Sequence, residues 1–244
     1  MPLHIQPALP SDASTLTQIF FSAFHPEDPF ESLIYPYGAT PKAMEHEYKG
    51  IAKNFEDPNV YYLKVVDSEI EVKAPDNKGS EIIAWARWKI WREERPQEEW
   101  DVSWQLEQPD LSKAKDGVID DVDVRVEQVF YDKLLEMRRK YIRDMSSLCT
   151  RPTQQRRGAA SMLLKWGMNL ADREGLDIFA QASPMILSSG GASSFGFEAL
   201  EAWYLDANML GRDKPERNRW PLRKMLMRRC PSSESSGGAE TKDG

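Results

Sequence analysis

The run Gln155-Arg156-Arg157-Gly158-Ala159-Ala160-Ser161 gathers the residue types that an anionic ligand needs. It stands directly before the longest clean helical pattern in the chain. There Ala159, Met162, Leu163, Trp166, Gly167 and Leu170 share one face, and Gly175 is placed to end the helix. A helix start offers unpaired backbone N–H groups and the positive end of the helix dipole. Gly158 lets the backbone approach a phosphate closely and accept unusual dihedrals. Ala159, Ala160 and Ser161 keep side chains out of the way, and Arg156 and Arg157 add positive charge beside the same spot. The chemistry this predicts is pyrophosphate binding. The run is not a Walker A loop, because no Gly-Lys-Ser/Thr ending follows, and it is not the Gly-x-Gly-x-x-Gly dinucleotide fingerprint.

Other reactive residues are sparse. The three histidines, His4, His25 and His46, lie near the N-terminus, with neither zinc-ligand spacing nor a Ser-His-Asp arrangement, so no metal is expected. Cys149 has no histidine placed to activate it and reads as a small buried residue. With only Cys149 and Cys230, no disulfide framework is implied and a reducing compartment fits. Asp120, Asp121 and Asp123 lack the spacing and glycine of an EF-hand and read as a solvated acidic loop. Glu93, Glu94, Glu98 and Glu99, interleaved with Trp91, Trp100 and Trp104, fit either a pocket for an amine or a charged surface over packed aromatics.

The elements that must position the turn follow from the patterns around it. Ile5–Ala8 reads as a short strand. A helix begins at Ser11 or Asp12, carries Leu16, Ile19, Phe20, Ala23 and Phe24 on one face, and is stopped by Pro26 and Pro29. A second helix is predicted from Thr40-Pro41 to about Asn54. Strands are predicted over Val60–Val66 and Ile82–Ile90, with Asp67–Ser80 as a hairpin loop. The pattern degrades over 91–122, which reads as an irregular charged insertion. Helical spacing returns at Val126, Val129, Phe130, Lys133, Leu134 and Met137. A strand is expected over Tyr141–Cys149, then the basic turn, the long helix and a strand over Ile178–Ala182. Strand-like pieces recur near Leu200–Leu205 and Arg223–Arg228. The 244-residue chain is expected to form one domain over 1–230, with a disordered tail at 231–244.

Whole-chain properties exclude some functions. The net charge of -7 argues against nucleic acid as the main partner. No stretch approaches the ~18 apolar residues of a membrane span. The N-terminal residues lack a signal peptide's basic start and long apolar centre, so a cytoplasmic protein is expected.

Gln155, Gly158 and Ala160 match the pattern Gln/Arg-x-x-Gly-x-Gly/Ala, and by this the chain resembles the GNAT superfamily of acyl-CoA N-acyltransferases. The order of elements supports it, because in that superfamily the motif joins the fourth strand to the third helix. The opening Ile5-Gln6-Pro7-Ala8-Leu9-Pro10-Ser11-Asp12-Ala13 and the later Ala182-Ser183-Pro184 and Gly196-Phe197-Glu198 are similar to the family's start, fifth strand and fourth-helix end. The resemblance spans about residues 3–228 without 91–122, and is strongest to the family's proteins from filamentous fungi. It implies an α/β fold with a mixed, mostly antiparallel sheet flanked by helices and splayed where CoA inserts.

It also implies a mechanism. Acetyl-CoA is the co-substrate, its pyrophosphate on Gln155 to Ser161 and its pantetheine arm paired with backbone near Leu148, Cys149 and Thr150. A small-molecule or peptide amine attacks the thioester directly, with a strand N–H polarising the carbonyl. Asp144 is the candidate general base, against an outward-facing charge beside Arg143. Many members protonate the leaving thiolate with a tyrosine four residues before the Gly-Phe pair, and here that position is Ala192. Three readings stand open: Ser193 or Ser194 donates through water, no dedicated acid is needed, or the protein binds CoA without fast turnover.

Overall fold

Runs of β-branched and aromatic residues become strands here, and apolar stripes at helical spacing become helices. The computed structural model describes residues 2–71, 80–93, 114–115, 117–141, 147–182, 191–205 and 222–232. In chain order the first elements are β1 (Leu3–Pro7), α1 (Ala13–Phe24), α2 (Pro29–Ile34), α3 (Pro41–Asn54), β2 (Val60–Glu71) and β3 (Ser80–Lys89). Next come the short strands β4 (Val118–Ile119) and β5 (Val122–Asp123), then α4 (Val124–Tyr141), β6 (Ser147–Thr150) and α5 (Ala159–Glu174). The chain closes with β7 (Ile178–Ala182), α6 (Gly191–Ser194), β8 (Glu198–Leu205) and β9 (Leu222–Arg229).

Besides the short β4-β5 pair, two larger sheets result, a four-stranded one in the order β1-β2-β3-β6 and a three-stranded one in the order β7-β9-β8. Every pairing within them is antiparallel. β6 and β7, the strands joined through α5, are edge strands of different sheets with no ladder between them among the described residues. The helix bridges what the hydrogen bonds leave open. Ala159, Leu163, Gly167 and Ala171 form its buried stripe at i, i+4, i+8 and i+12. Under it one core gathers Val65, Ile83, Ala86 and Trp88 from the first sheet and Ile178, Ala182, Met225 and Met227 from the second. Burying a side chain such as Leu163 contributes about 1.5–3 kcal/mol. The other face of the first sheet packs Tyr62, Trp85 and Cys149 against Leu16 and Ile19 of α1 and Ile51 of α3. A third core joins α2, α4, β8 and β9 through Phe30, Val126, Met137, Trp203 and Leu226.

Several expectations are corrected. Tyr141 belongs to α4 and the strand begins only at Ser147. Tyr141 follows buried Met137 by four residues, so the helical repeat overrides its β propensity. Pro29 starts α2 instead of only ending α1, because its missing N–H costs nothing at the first helical position and Asp28 caps the helix through the Phe30 N–H at 2.9 Å. The hairpin loop is shorter than Asp67–Ser80, since β2 runs to Glu71 and β3 starts at Ser80. The acidic loop is solvated only in part, with Asp120 exposed, Asp121 half-buried and Asp123 buried. Thr40 Oγ1 donates to Asp121 at 2.8 Å, Lys42 pairs with Asp120 at 3.0 Å, and buried Asp123 accepts from the Val126 N–H at 3.2 Å to start α4. Residues 94–113 of the expected insertion and 233–244 of the expected tail lie outside the described residues. Among those described, no helix is long and apolar enough to cross a membrane.

Candidate active site

The basic turn is held at both ends. The Arg151 N–H extends the β3–β6 ladder to the Ile83 carbonyl at 2.9 Å, and Arg151 Nε donates to the Ile82 carbonyl at 2.9 Å. A single 3-10 turn over Pro152–Gln154 follows, after which Arg156 and Gly158 both take left-handed backbone, φ 63° and 91°. Such φ is costly for a residue with a Cβ, which explains the glycine at the larger value. The Met162 N–H reaches the Gly158 carbonyl at 3.0 Å. The N–H groups of Ala159, Ala160 and Ser161 find no backbone acceptor among the described residues. A Cβ built on Gly158 would meet nothing within 4 Å, so the space beside the helix start is open.

The two arginines differ. Arg157 forms an ion pair with Asp67 at 2.6 Å and donates to Gln154, which fastens the turn to β2. Asp67 is buried, and its carboxyl is held below the usual range by the Glu69 N–H at 3.0 Å and by Arg157. Arg156 is exposed and has no partner among the described residues. Gln155 is exposed, Ala159 buried, and Ala160 and Ser161 half-buried. The free N–H groups, open space and unpaired cation fit a pyrophosphate, with Arg157 acting on the turn itself.

β6 offers backbone, not side chains. Leu148, Cys149 and Thr150 pair with Ala86, Trp85 and Ala84 on one edge, and the other edge carries no strand among the described residues. Leu148 points to the α5 core and Cys149 to the α1 core. Burial first, and then the Glu47 and Glu31 charges, push the Cys149 thiol well up, which removes it as a nucleophile.

The remaining predicted residues scatter. Ser193 is exposed on α6, while Ala192 beside it packs into the core under α5. Asp144 lies outside the described residues, as do Glu94, Glu98, Glu99, Trp100 and Trp104. Trp91 and Glu93 line a cavity of about 480 Å³ with Gly167, Gly175 and Leu176, toward the end of α5 away from Gly158.

A cluster that the sequence reading missed lies between α2, α3 and α4. Tyr35 donates to Glu47 Oε2 at 2.9 Å, and His46 Nε2 lies 2.9 Å from Glu127 Oε1. Lys224 of β9 reaches Asp28 at 2.9 Å. Tyr62, Arg87 and Ser147 stand in register across β2, β3 and β6, and Arg87 Nη2 donates to Ser147 Oγ at 3.1 Å. That contact joins the cluster to the start of β6. Burial, and then the neighbouring carboxylates, push Glu31 up to about 8 despite Lys224. Burial also raises Glu47 and Tyr131. Glu31 and Glu47 are half-buried and Glu127 is buried. Among the described residues no group of three or more His, Cys, Asp or Glu is placed to hold a metal ion. A signal was available: Glu47 stands between Ala43 and Ile51 on the buried stripe of α3, where an apolar residue is expected.

By sequence, no protein-family model matches the chain and no curated protein does. Solved structures match through the fold. Arylalkylamine N-acetyltransferase 2 from Aedes aegypti aligns with a TM-score of 0.58 at 14% identity, over 95% of this chain and 100% of that one. A histone acetyltransferase HPA2 and related acetyltransferase from Corynebacterium glutamicum gives 0.53 at 15%, over 95% and 98%. A GNAT superfamily phosphinothricin acetyltransferase from Sinorhizobium meliloti, in complex with acetyl-CoA, gives 0.50 at 12%, over 99% and 95%. The fold is therefore that of the GNAT acetyltransferases, antiparallel sheets flanked by helices.

Proposed function

We propose that this chain, built on the GNAT acetyltransferase fold, transfers an acetyl group from acetyl-CoA to the primary amine of a small molecule. The observation that carries this is the start of α5, where Gly158 opens the space and three backbone N–H groups have no carbonyl to bind. Those N–H groups and Arg156 bind the pyrophosphate, Gln155 flanks it, and Arg157 keeps the turn in place. The free edge of β6 pairs with the pantetheine arm through Leu148, Cys149 and Thr150, and an N–H there polarises the thioester carbonyl. When bound, acetyl-CoA supplies an activated acyl group whose C–S bond breaks as the new N–C bond forms. The carboxylate cluster beside β6 suits an amine, which must shed a proton to attack. Asp144 remains a candidate for that step. The arylalkylamine and phosphinothricin enzymes that share the fold are named for amine-bearing small molecules, in line with this choice, while the histone acetyltransferase that shares it is named for a protein.

One observation favours a second reading. Ala192, at the position of the family's acid, is half-buried and packs its methyl group against the core under α5. Either the thiolate leaves without a dedicated acid, or with Ser193 acting through water, or the chain binds CoA without fast turnover. Calorimetric titration with acetyl-CoA, beside Gly158→Trp, tests the site. Binding that the substitution abolishes supports it, and no binding by the folded wild type overturns it. Thioester turnover with an amine then separates the enzyme from the CoA-binding protein.

A further inference from the structure

We propose that the cavity beside the last turns of α5 is a second ligand site, separate from the acetyl-CoA turn, and that it takes a small aromatic cation. Its volume of about 480 Å³ is that of a small-molecule site. Gly175 on its lining closes a helix of 16 residues and so stands about 24 Å from the Gly158 turn along the axis. The site stands whether or not the chain transfers an acyl group.

The walls are braced from three sides. Arg92, just past β3, donates to both oxygens of Glu174 in the last turn of α5, at 2.8 and 3.1 Å. Arg228 of β9 donates twice to Asp177, at 3.1 and 2.6 Å, and Arg229 holds both oxygens of Asp172 at 2.8 Å. Protein interiors close up where they can, and these forked pairs fix the ends of β3, α5 and β9 around a space left open. A Cβ built on Gly175 would meet nothing within 4 Å, so the backbone there faces that space without crowding.

The lining decides what fits. Trp88, Trp91 and Phe179 give it an aromatic wall, which favours a flat apolar body. Four charged residues also line it, and three are committed. Lys89 pairs with Asp57 at 3.2 Å and lies 4.9 Å from the Trp91 ring centroid. Arg92 is held by Glu174, and Asp177 by Arg228. Glu93 is exposed and makes no hydrogen bond or ion pair among the described residues. An anion would have to draw Lys89 or Arg92 out of a formed pair, whereas a cation finds the Glu93 carboxylate unspent. Electron-rich indole rings add to the attraction for a cation.

The test uses benzyltrimethylammonium, which has no N–H and so cannot be an acetyl acceptor, beside benzoate and benzyl alcohol. Binding is measured by calorimetry without acetyl-CoA for wild type, Glu93→Gln, Trp91→Leu, the double variant and Glu31→Gln. Glu93 is exposed, so Glu93→Gln should leave Tm unchanged and still weaken the cation about 3- to 5-fold, the worth of an exposed ion pair. Trp91→Leu should weaken it by about the same factor, and the double variant by about 10-fold or more. Benzoate and benzyl alcohol should bind at least about 10-fold more weakly than the cation to the wild type. Glu31→Gln, in the other carboxylate cluster, should change nothing. No binding by the folded wild type, equal binding by wild type and the double variant, or benzoate binding as tightly as the cation overturns the proposal. Weakening by Glu31→Gln alone overturns it too, because the cation then sits at the other cluster. Acetyl-CoA titration of the same proteins judges the acyl-transfer reading independently, and Glu93→Gln should leave that affinity unchanged.

Discussion

A single half-buried polar contact carries a measurable pH signature. His46 is half-buried and faces Glu127, which is 7% exposed. Its hydrogen bond to Glu127, more than the opposing effect of burial, raises its pKa above the ordinary 6.5. A raised value means that the folded state binds the proton more tightly than the unfolded chain. The stability from the pair is therefore full below 6.5 and is lost as pH rises through the folded value. Only three histidines exist, so their ring signals can be followed individually by NMR. We expect His46 to titrate above 6.5 and Glu127→Gln to bring it down. No change on substitution would show that the pair does not form in solution.

At the scale of an element, α5 does two jobs at two points along one apolar stripe. Its start presents the open turn at Gly158, and its middle lies against the first sheet at Gly167. A Cβ on Gly167 would come within 2.2 Å of the Trp88 ring, so this glycine permits close approach of helix and strand. Trp88 is buried and has little room to yield. Gly167→Ala is expected to cost about 1–3 kcal/mol by overpacking, read from chemical denaturation. Because α5 must then shift from β3, acetyl-CoA binding should weaken too, although residue 167 is far along the helix from the turn. An unchanged midpoint would mean that the core under α5 is looser than the structure has it. Arg229, paired with Asp172 at 2.8 Å, ties the last turns of the same helix to β9.

Across the whole molecule, the two sheets meet through packing under α5 and not through a strand ladder between β6 and β7. A ligand laid along β6 adds contacts that only the folded chain can make. Saturating acetyl-CoA, at about 100 times its Kd, should therefore stabilise the fold by about 2.7 kcal/mol. Thermal melts with and without acetyl-CoA check this, and Gly158→Trp should abolish the shift. A chain carrying a net charge of -7 attracts an anionic ligand only where local charge is reversed, and exposed Arg156 at the helix start is such a place. A Tm that acetyl-CoA leaves unmoved would argue that the turn is structural.

The turn was legible in the sequence because its physics is local. A glycine at positive φ, small residues at a helix start and an arginine beside them act within one stretch of chain, so Gly158 and the helix to Glu174 follow from residue order. Most of the strands and α3 were legible for the same reason, through their repeats of two and 3.6 residues. Only the tertiary structure decided that Arg157 turns to Asp67 and Arg156 does not, since Asp67 reaches the turn from a distant strand. It alone assembled Glu31, Glu47, Glu127 and Arg87, which lie on α2, α3, α4 and β3 and share no spacing in the sequence. It alone delayed the start of β6 to Ser147, because the helical repeat of α4 runs on through Tyr141. Binding by backbone groups is written in a segment, whereas a buried cluster of charges exists only after separate segments have packed.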